Sequence, residues 1–243
     1  MNNTSKIIGV DLAKMVFQLA LADAHHHVTH SKRLNRTQFR TFFVNHPPVH
    51  IIMETCGTAH YWARTLIAMG HTVTLLPAQY VRPYVRRNKT DANDAIAIVE
   101  AARNRDIKKV PVKTEYQQAL QSLHRLREQW KSTRVARINA LRGILREFGV
   151  LVPLGPRAAI KTTHAALDTL PVLLQGSVHD VLDELTGIQT RITSLEKQLK
   201  QIVKADPVIQ QFMNINGIGL LGATAMRASV QSPAQFKNGR QLS

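Results

Sequence analysis

The order of apolar segments in the first hundred residues constrains the fold of this chain more than any other feature. Residues 6–10 form an apolar, β-branched run, and residues 15–21 can present alternate side chains to one face of a second strand. A polar strand over residues 27–34 follows the His25-His26-His27 tip. We interpret this tip as a solvated turn, because consecutive strand residues point to opposite faces and are poorly placed to share a metal.

Helices and strands alternate after these three strands. Helical patterns over residues 37–45, 59–69 and 91–104 alternate with apolar strands over residues 49–53 and 72–76. Three successive strands that lead into alternating helices and strands predict an α/β domain with a mixed sheet rather than an all-parallel one. This order is typical of ribonuclease H-like domains.

The second half of the chain is dominated by two long helical patterns. The first covers residues 114–148 and opens with Thr114 and Gln117 at the spacing of a capping box. The second carries an apolar stripe in alternating steps of four and three, the heptad seam of a coiled coil that ends before Pro207. The stripe consists of Val181, Leu185, Ile188, Ile192, Leu195, Leu199 and Ile202. This spacing leaves open whether the seam packs on the first helix or pairs with a second subunit.

The charge of the chain predicts a polyanionic partner. The net charge is +16, and residues 101–152 hold 12 basic against 4 acidic side chains. A membrane-surface helix is disfavoured, because the basic residues interleave with Gln, Ser and Asn and no large apolar face accompanies them. Gly217 and Gly219 precede a helix and would let its N-terminus approach a phosphate. Together with these two glycines, the candidate nucleic-acid-binding residues are Arg125, Arg127, Lys131, Arg134, Arg137, Arg142 and Arg146.

Four acidic residues are candidates for a magnesium site. Asp11 and Glu54 each follow an apolar strand, and Asp91 and Asp94 lie three residues apart at the start of a helix, on one face. Taken singly, Asp91 could be an N-cap and the other acids could lie at the surface. An acid directly after a buried strand is costly unless it is paired or binds metal, and this occurs twice. Several convergent carboxylates are what a two-metal nuclease requires.

Other kinds of site are disfavoured. Cys56 is the only cysteine and is expected to be a small buried thiol, which also fits a reducing cytoplasm. The sequence contains neither paired CxxC motifs for zinc nor a GxxxxGK[ST] loop for nucleotide hydrolysis. No stretch approaches the roughly 20 apolar residues of a membrane span, so a cytoplasmic protein without a membrane partner is expected.

Several stretches carry a family resemblance. Those around the acids are Ile8-Gly9-Val10-Asp11-Leu12-Ala13-Lys14, Glu54-Thr55-Cys56-Gly57 and Arg87-Asn88-Lys89-Thr90-Asp91-Ala92-Asn93-Asp94-Ala95. Further ones are His60-Tyr61-Trp62-Ala63, Pro77-Ala78-Gln79-Tyr80-Val81, Leu141-Arg142-Gly143 and Gly217-Ile218-Gly219. Over essentially the whole chain, the sequence closely resembles the DEDD transposases of bacterial insertion sequences. This family includes a pilin-gene invertase and uses a bridge RNA.

The resemblance implies a RuvC-like ribonuclease H fold whose four acids bind Mg²⁺, matched here by Asp11, Glu54, Asp91 and Asp94. It also implies a coiled-coil region used in dimerisation and a C-terminal transposase domain with a serine nucleophile after a Gly-Leu-x-Pro stretch. Ser243 does not match that serine, so we expect a truncated chain that lacks the nucleophile. The expected domains are a RuvC-like nuclease domain (1–110), a helical coiled-coil region (111–206) and the start of a small helical transposase domain (207–243).

The leading functional hypothesis is a transposase that cleaves and exchanges DNA strands with magnesium, guided by a bridge RNA and assembled as a homo-oligomer through the coiled coil. A stand-alone junction resolvase is a second enzymatic hypothesis. A noncatalytic nucleic-acid-binding scaffold from a truncated element is the alternative from a different class. RNA copurification is expected of the transposase and of the scaffold, whereas magnesium-dependent nicking separates these two.

Overall fold

The computed structural model describes residues 7–85 and 91–230, and of Asp91 and Ala92 it describes the backbone alone. The chain divides into two compact units, Met1–Thr114 and Glu115–Ser243. The first is an α/β unit, and the second is helical wherever the structure describes regular elements. Within residues 7–85 and 91–230, no helix combines the length and apolarity needed to cross a membrane.

A five-stranded mixed sheet forms the centre of the first unit. Its strands are β1 (Ile7–Leu12), β2 (Val16–Ala22), β3 (Val28–Asn35), β4 (His50–Glu54) and β5 (Thr72–Leu76). They lie in the order β3-β2-β1-β4-β5, in which β1, β2 and β3 pair antiparallel while β1, β4 and β5 pair parallel. The predicted succession of three strands and the mixed sheet are confirmed, and the architecture is compatible with a RuvC-like domain.

The two faces of this sheet have different cores. Helices α1 (Arg36–Val44) and α2 (Ala59–Ala68) cover one face, where Phe17, Phe39 and Trp62 pack edge to face. Each pair of these rings lies within the usual spacing of about 4.5–7 Å between centroids. The other face carries small and β-branched residues and is covered by the helix α4 (Asp91–Ala101). In the sequence, α4 follows the short helix α3 (Ala78–Val81).

Gly9 sets the approach of α4 to the sheet. A Cβ atom on this glycine would lie 2.5 Å from Val99 Cγ2 and 2.7 Å from the backbone oxygen of Ala95, so any larger residue would push the helix away. The alanine-rich face of α4 packs directly on β1 and β2, which explains why the helix is rich in small residues. The first turns of α4 are thereby held over the end of β1.

In the described part of the second unit, which ends at residue 230, five α-helices are found. They are α5 (Glu115–Glu147), α6 (Pro156–Ala166), α7 (Val172–Ala205), α8 (Pro207–Met213) and α9 (Leu220–Ser229). Helix α7 ends before Pro207 as predicted, because the Asp206 side chain accepts hydrogen bonds from the backbone amides of Val208 and Ile209 and caps the next helix.

The heptad seam of α7 is buried inside its own unit. Leu185, Ile188, Ile192, Leu195 and Leu199 are buried, and the two outermost seam residues are partly buried. The partner is mainly α5, which lies antiparallel to α7, because ion pairs join Arg127 to Glu196 and Arg137 to Glu184. Of the two alternatives that the sequence left open for the seam, packing on the first long helix is therefore the one found in the chain.

Candidate active site

A cleft of about 600 Å³ opens at the carboxyl ends of the central strands. Because Val10 pairs with Met53 in parallel register, Asp11 and Glu54 follow at the same edge of the sheet. Strand alternation then points both side chains to the face covered by α4, the face to which Gly9 and Ile52 also belong. The residues that line the cleft are Asp11, Glu54, Ala78, Gln79, Arg82, Val85 and Asp94.

Three of the four predicted acids, Asp11, Glu54 and Asp94, therefore line one cleft. The first and the last of them are 83 residues apart in the sequence. Asp94 lies on α4, and this helix packs closely on β1 because Gly9 has no side chain. The side chain of Asp91 lies outside the described part of the chain. Its backbone opens α4 three residues before Asp94, so the assignment of Asp91 to the site stays a prediction.

The carboxylates of the cleft influence one another electrostatically. Burial, and after it the negative charge of Asp94, raises the pKa of the Glu54 carboxyl above its ordinary value. Hard oxygen donors that repel one another in this way suit a divalent cation, which would relieve the repulsion. Among the described side chains, no three acids, histidines or cysteines already lie in the arrangement of a metal centre. The donor chemistry fits a divalent ion, while its identity as magnesium stays a prediction.

Two polar residues of this cleft were not assigned a role from sequence. Gln79 and Arg82 lie on and just after α3, three residues apart, and both are exposed in the cleft beside the acids. The end of β4 positions this segment, because the Thr55 amide donates to the Leu76 carbonyl at 2.9 Å and the Thr55 hydroxyl accepts from the Ala78 amide at 3.3 Å. The only sequence signal for Gln79 was the 77–81 stretch of the family resemblance, which ends one residue before Arg82.

The expectation for Cys56 is wrong. Its side chain is exposed at the turn after β4, and its Sγ lies 3.9 Å from the backbone oxygen of Leu12. The expectation was wrong because the last buried residue of β4 is Met53 and the strand ends at Glu54. Cys56, two residues further along the chain, already lies outside the core.

Comparison with known proteins identifies the family of the chain. The profile of a transposase family of the DEDD type matches residues 8–150, which is more than half of the chain. The chain belongs to the DEDD transposases of insertion sequences. It is 44% identical over 243 residues to a probable family 20 transposase of Pseudomonas aeruginosa, with 97% of this chain and 71% of that protein covered. It is 37% identical to a transposase for insertion sequence element IS1111A of Coxiella burnetii, covering 98% of this chain and 66% of that protein.

A third relative of this transposase chain is the transposase for insertion sequence element IS1328 of Yersinia enterocolitica, 33% identical, with 97% of this chain and 71% of that protein covered. The chain thus spans about two thirds to seven tenths of the length of these three relatives. The four acids lie inside residues 8–150, the stretch that the family profile matches.

The basic residues predicted to bind nucleic acid lie on α5 of this transposase chain, in two groups. Most of them contact their own unit: Arg127 and Arg137 form ion pairs with α7, Arg134 contacts Gln189, Lys131 pairs with Glu128, and Arg142 donates to Asn139 and to the Pro153 carbonyl. Arg125 and Arg146 are exposed and make no hydrogen bond or ion pair with another residue in the described ranges.

The glycine turn precedes α9. Gly217 has a φ of +86°, a left-handed conformation that side chains rarely adopt, and Gly219 is the N-cap of the helix. A Cβ atom on either glycine would meet nothing within 4 Å. The turn therefore leaves open space before the helix N-terminus, which is compatible with the predicted approach of a phosphate.

Glu54 should make the metal-free transposase chain sensitive to pH. Because the folded-state pKa is raised, the group favours folding below its ordinary value of 4.5 and loses that stability as the pH rises through the raised value. Glu54→Gln removes the charge, so we expect a higher melting temperature at about pH 7 and a difference near zero at about pH 4. Thermal denaturation in chelator across this range measures the effect.

Asp106→Asn serves as the matched control, because Asp106 is an exposed acid of the same unit outside the cleft. We expect that variant to show no comparable gain at neutral pH. Equal melting temperatures of wild type and Glu54→Gln at both pH values would contradict the proposed repulsion.

Proposed function

We propose that this chain contains the strand-cleaving domain of an insertion-sequence transposase, a RuvC-like nuclease that acts on DNA with Mg²⁺ and is directed to its sites by a bridge RNA. The convergence of Asp11, Glu54 and Asp94 in one cleft, within the region matched by the family profile, carries this proposal. Asp91 completes the proposed set of metal-binding and catalytic residues, because it precedes Asp94 by three residues on the same helix.

Each group of the cleft has a distinct task in this proposal. A divalent cation, when bound, would polarise a phosphoryl oxygen and stabilise the charge that develops there. The carboxylates of Asp11 and Glu54 hold fixed positions at strand ends, whereas Asp94 depends on the position of α4. The exposed guanidinium of Arg82, which lines the same cleft, would donate to phosphate oxygens and so offset the repulsion between the acids and the strand.

We propose the domain organisation stated above: a RuvC-like domain over 1–110, a helical coiled-coil region over 111–206 and the start of a transposase domain over 207–243. The division of the chain after Thr114 supports the first boundary. A homo-oligomer is part of the proposal, but the buried seam of α7 already packs within the chain. Self-association would therefore use other surfaces of the helical unit, such as the exposed apolar residues Leu151, Leu154, Val172 and Leu173.

Nicking of DNA by the full-length transposase with its RNA tests the function. We expect strand cleavage in Mg²⁺, no cleavage in chelator, and recovery when Mg²⁺ is restored. Cleavage that is indifferent to chelation would contradict the metal site. Tight nucleic-acid binding without cleavage under all conditions would instead favour the noncatalytic scaffold, which the basic stretch of residues 101–152 also supports.

The exposed arginines of α5 should account for part of the salt dependence of nucleic-acid binding. We expect Arg125→Ala with Arg146→Ala to lower the slope of log affinity against log salt by about 1.4 to 1.8, since each phosphate contact contributes about 0.7 to 0.9. The melting temperature should not change, because neither side chain has a partner among the described residues. Binding titrations over a salt series measure the slope.

A pair of exposed lysines on α7 provides the matched control. Lys197→Ala with Lys200→Ala removes the same charge from the neighbouring helix. If that variant lowers the slope as much as the arginine variant does, the effect is one of net charge and α5 is not the contact face. Arg137→Ala is less informative, because it also breaks the ion pair with Glu184.

A further inference from the structure

A second cavity, of about 290 Å³, lies in the α/β unit beside β4 and β5. His50, which begins β4, lies about 13 Å along the strand from Glu54 at roughly 3.3 Å per residue, and no described residue lines both this cavity and the cleft of the carboxylates. Its apolar floor is formed by Ile52, Leu76 and Ile107, residues of the core beneath α4. This volume is at the low end of the range of about 300–1,000 Å³ for small-molecule pockets, so it suits one small group.

The walls of this cavity are polar and basic. None of the described residues that line it is acidic, and two of them, Arg105 and Lys109, carry fixed positive charge. The polar lining residues are His26, His50, Thr74, Asn104, Arg105 and Lys109. A planar guanidinium, an ammonium and several uncharged donors around one enclosed space match the oxygens of a phosphate.

His50 and Thr74 form the inner wall. Nε2 of His50 and the hydroxyl of Thr74 lie 2.8 Å apart on neighbouring parallel strands, and Thr74 is buried. Burial, and after it the charge of Lys109, lowers the pKa of the His50 imidazole, with a smaller contribution from His26. The lowered pKa favours the neutral imidazole, which offers a hydrogen-bonding group rather than a charge.

The turn before β3 contributes His26 to the lining of the cavity. His26 has a φ of +65°, the left-handed region that glycine prefers, and is the one non-glycine residue in that region among those described. Asp23 stabilises the turn, since its Oδ1 accepts hydrogen bonds from the amides of His25 and His27. The Asp23 carboxylate is engaged in these backbone hydrogen bonds, and the His26 side chain lines the cavity.

We propose that this cavity is a phosphate-binding site, separate from the metal-binding cleft, in which Arg105 and Lys109 neutralise the anion while His50, Thr74 and Asn104 contribute uncharged hydrogen-bonding groups. The phosphate belongs either to a nucleic-acid strand or to a free small anion. The proposal does not depend on the carboxylates or on strand cleavage, so its test is a binding measurement.

Calorimetric titration of the chain with inorganic phosphate provides the first test, with acetate as the carboxylate comparison. We expect saturable one-to-one phosphate binding that exceeds acetate binding, and a loss of about tenfold or more in affinity in Arg105→Ala with Lys109→Ala, because charge-assisted hydrogen bonds are removed. Lys108→Ala, an exposed lysine that does not line the cavity, should keep wild-type affinity. Equal phosphate affinity in the double variant, or acetate binding as strong as phosphate binding, would overturn the proposal.

His26→Gly keeps the test informative if the double variant does not fold. Glycine suits the positive φ at this position, so we expect the variant to fold and to retain or gain thermal stability. Loss of the imidazole should lower phosphate affinity all the same. A gain in stability with unchanged phosphate affinity would remove His26 from the site, and the same result in His50→Ala would overturn the site itself.

Competition distinguishes the two sources of the phosphate. Two single-stranded oligonucleotides of the same sequence, one with a 5′-phosphate and one with a 5′-hydroxyl, are titrated into protein that has inorganic phosphate bound. The Lys108→Ala control and the Arg105→Ala/Lys109→Ala variant are titrated in the same way. Displacement by both strands identifies a backbone phosphate, and displacement by the phosphorylated strand alone identifies a strand end. Displacement by neither identifies a free anion, provided that binding still depends on Arg105 and Lys109.

Discussion

Asp94→Asn is expected to lower DNA cleavage by the full-length transposase about a thousandfold and to raise the melting temperature of the metal-free protein. A bound cation stabilises the transition state of cleavage by several kcal/mol, and loss of one of its ligands removes most of this stabilisation. Each 1.4 kcal/mol, roughly, corresponds to a tenfold change in rate. Stability moves in the opposite direction, because the charge of Asp94 contributes to the raised pKa of Glu54 and its removal relieves that repulsion.

Asparagine separates this role from a merely structural one. It keeps the size of the side chain and its ability to cap a helix, so a capping function survives the change and a metal-binding function does not. Asp91→Asn is expected to act in the same way, and Asp106→Asn, outside the cleft, should leave both cleavage and Mg²⁺ affinity unchanged. Calorimetric titration with Mg²⁺ and single-turnover cleavage measure these effects. Wild-type affinity and activity in either variant would remove that residue from the site.

Leu195→Asp is expected to destabilise the helical unit by several kcal/mol, which is the second large effect. Leu195 is 3% exposed and packs in one cluster with Leu120 of α5, Leu199 of α7 and Ala223 of α9. A carboxylate at this position would be buried without a partner, and a buried charge that lacks its partner costs about 3–5 kcal/mol. Thermal and urea denaturation monitored by circular dichroism measure the loss.

Ser194→Asp introduces the same charge one residue earlier, at an exposed position of α7. Its melting temperature should stay close to that of wild type, since exposed substitutions change stability by about 0.5 kcal/mol or less. Light scattering on both variants reports whether α7 also joins subunits. A Leu195→Asp protein that keeps both its melting temperature and its mass would show that the seam is neither core nor interface.

The fold of the first unit was predictable because its signals are local. An apolar, β-branched run marked β1, alternation of apolar residues marked β2, and apolar runs marked β4 and β5, so a mixed sheet followed from the order of the elements. The same signals located Asp11 and Glu54, because an acid directly after a buried strand is costly to leave unpaired. Parallel pairing of β1 with β4 then brings the two acids to one edge, as the register of Val10 with Met53 shows.

The partner of the heptad seam was not predictable, because the same apolar stripe fits a neighbouring helix of the chain and a second subunit equally well. The ion pairs of Arg127 and Arg137 with α7 decide between them, and they join residues 69 and 47 positions apart. The same contacts divide the basic residues of α5 into those that bind other residues of the helical unit and those whose side chains remain exposed. Sequence spacing shows charge on a helix but not which charges a neighbour already occupies.

By itself, the sequence determined what each residue near the site can do: hard oxygen donors at strand ends, basic side chains on a long helix, and a family whose profile matches residues 8–150. Only the tertiary structure decided which of these groups meet. Gly9 allows α4 to pack closely on the sheet, which places Asp94 in the same cleft as Glu54. The hydrogen bond between Thr55 and Ala78 positions the segment that carries Arg82 beside that cleft. These contacts join segments far apart in the chain, and their geometry depends on the close packing of side chains, which a one-dimensional pattern does not encode.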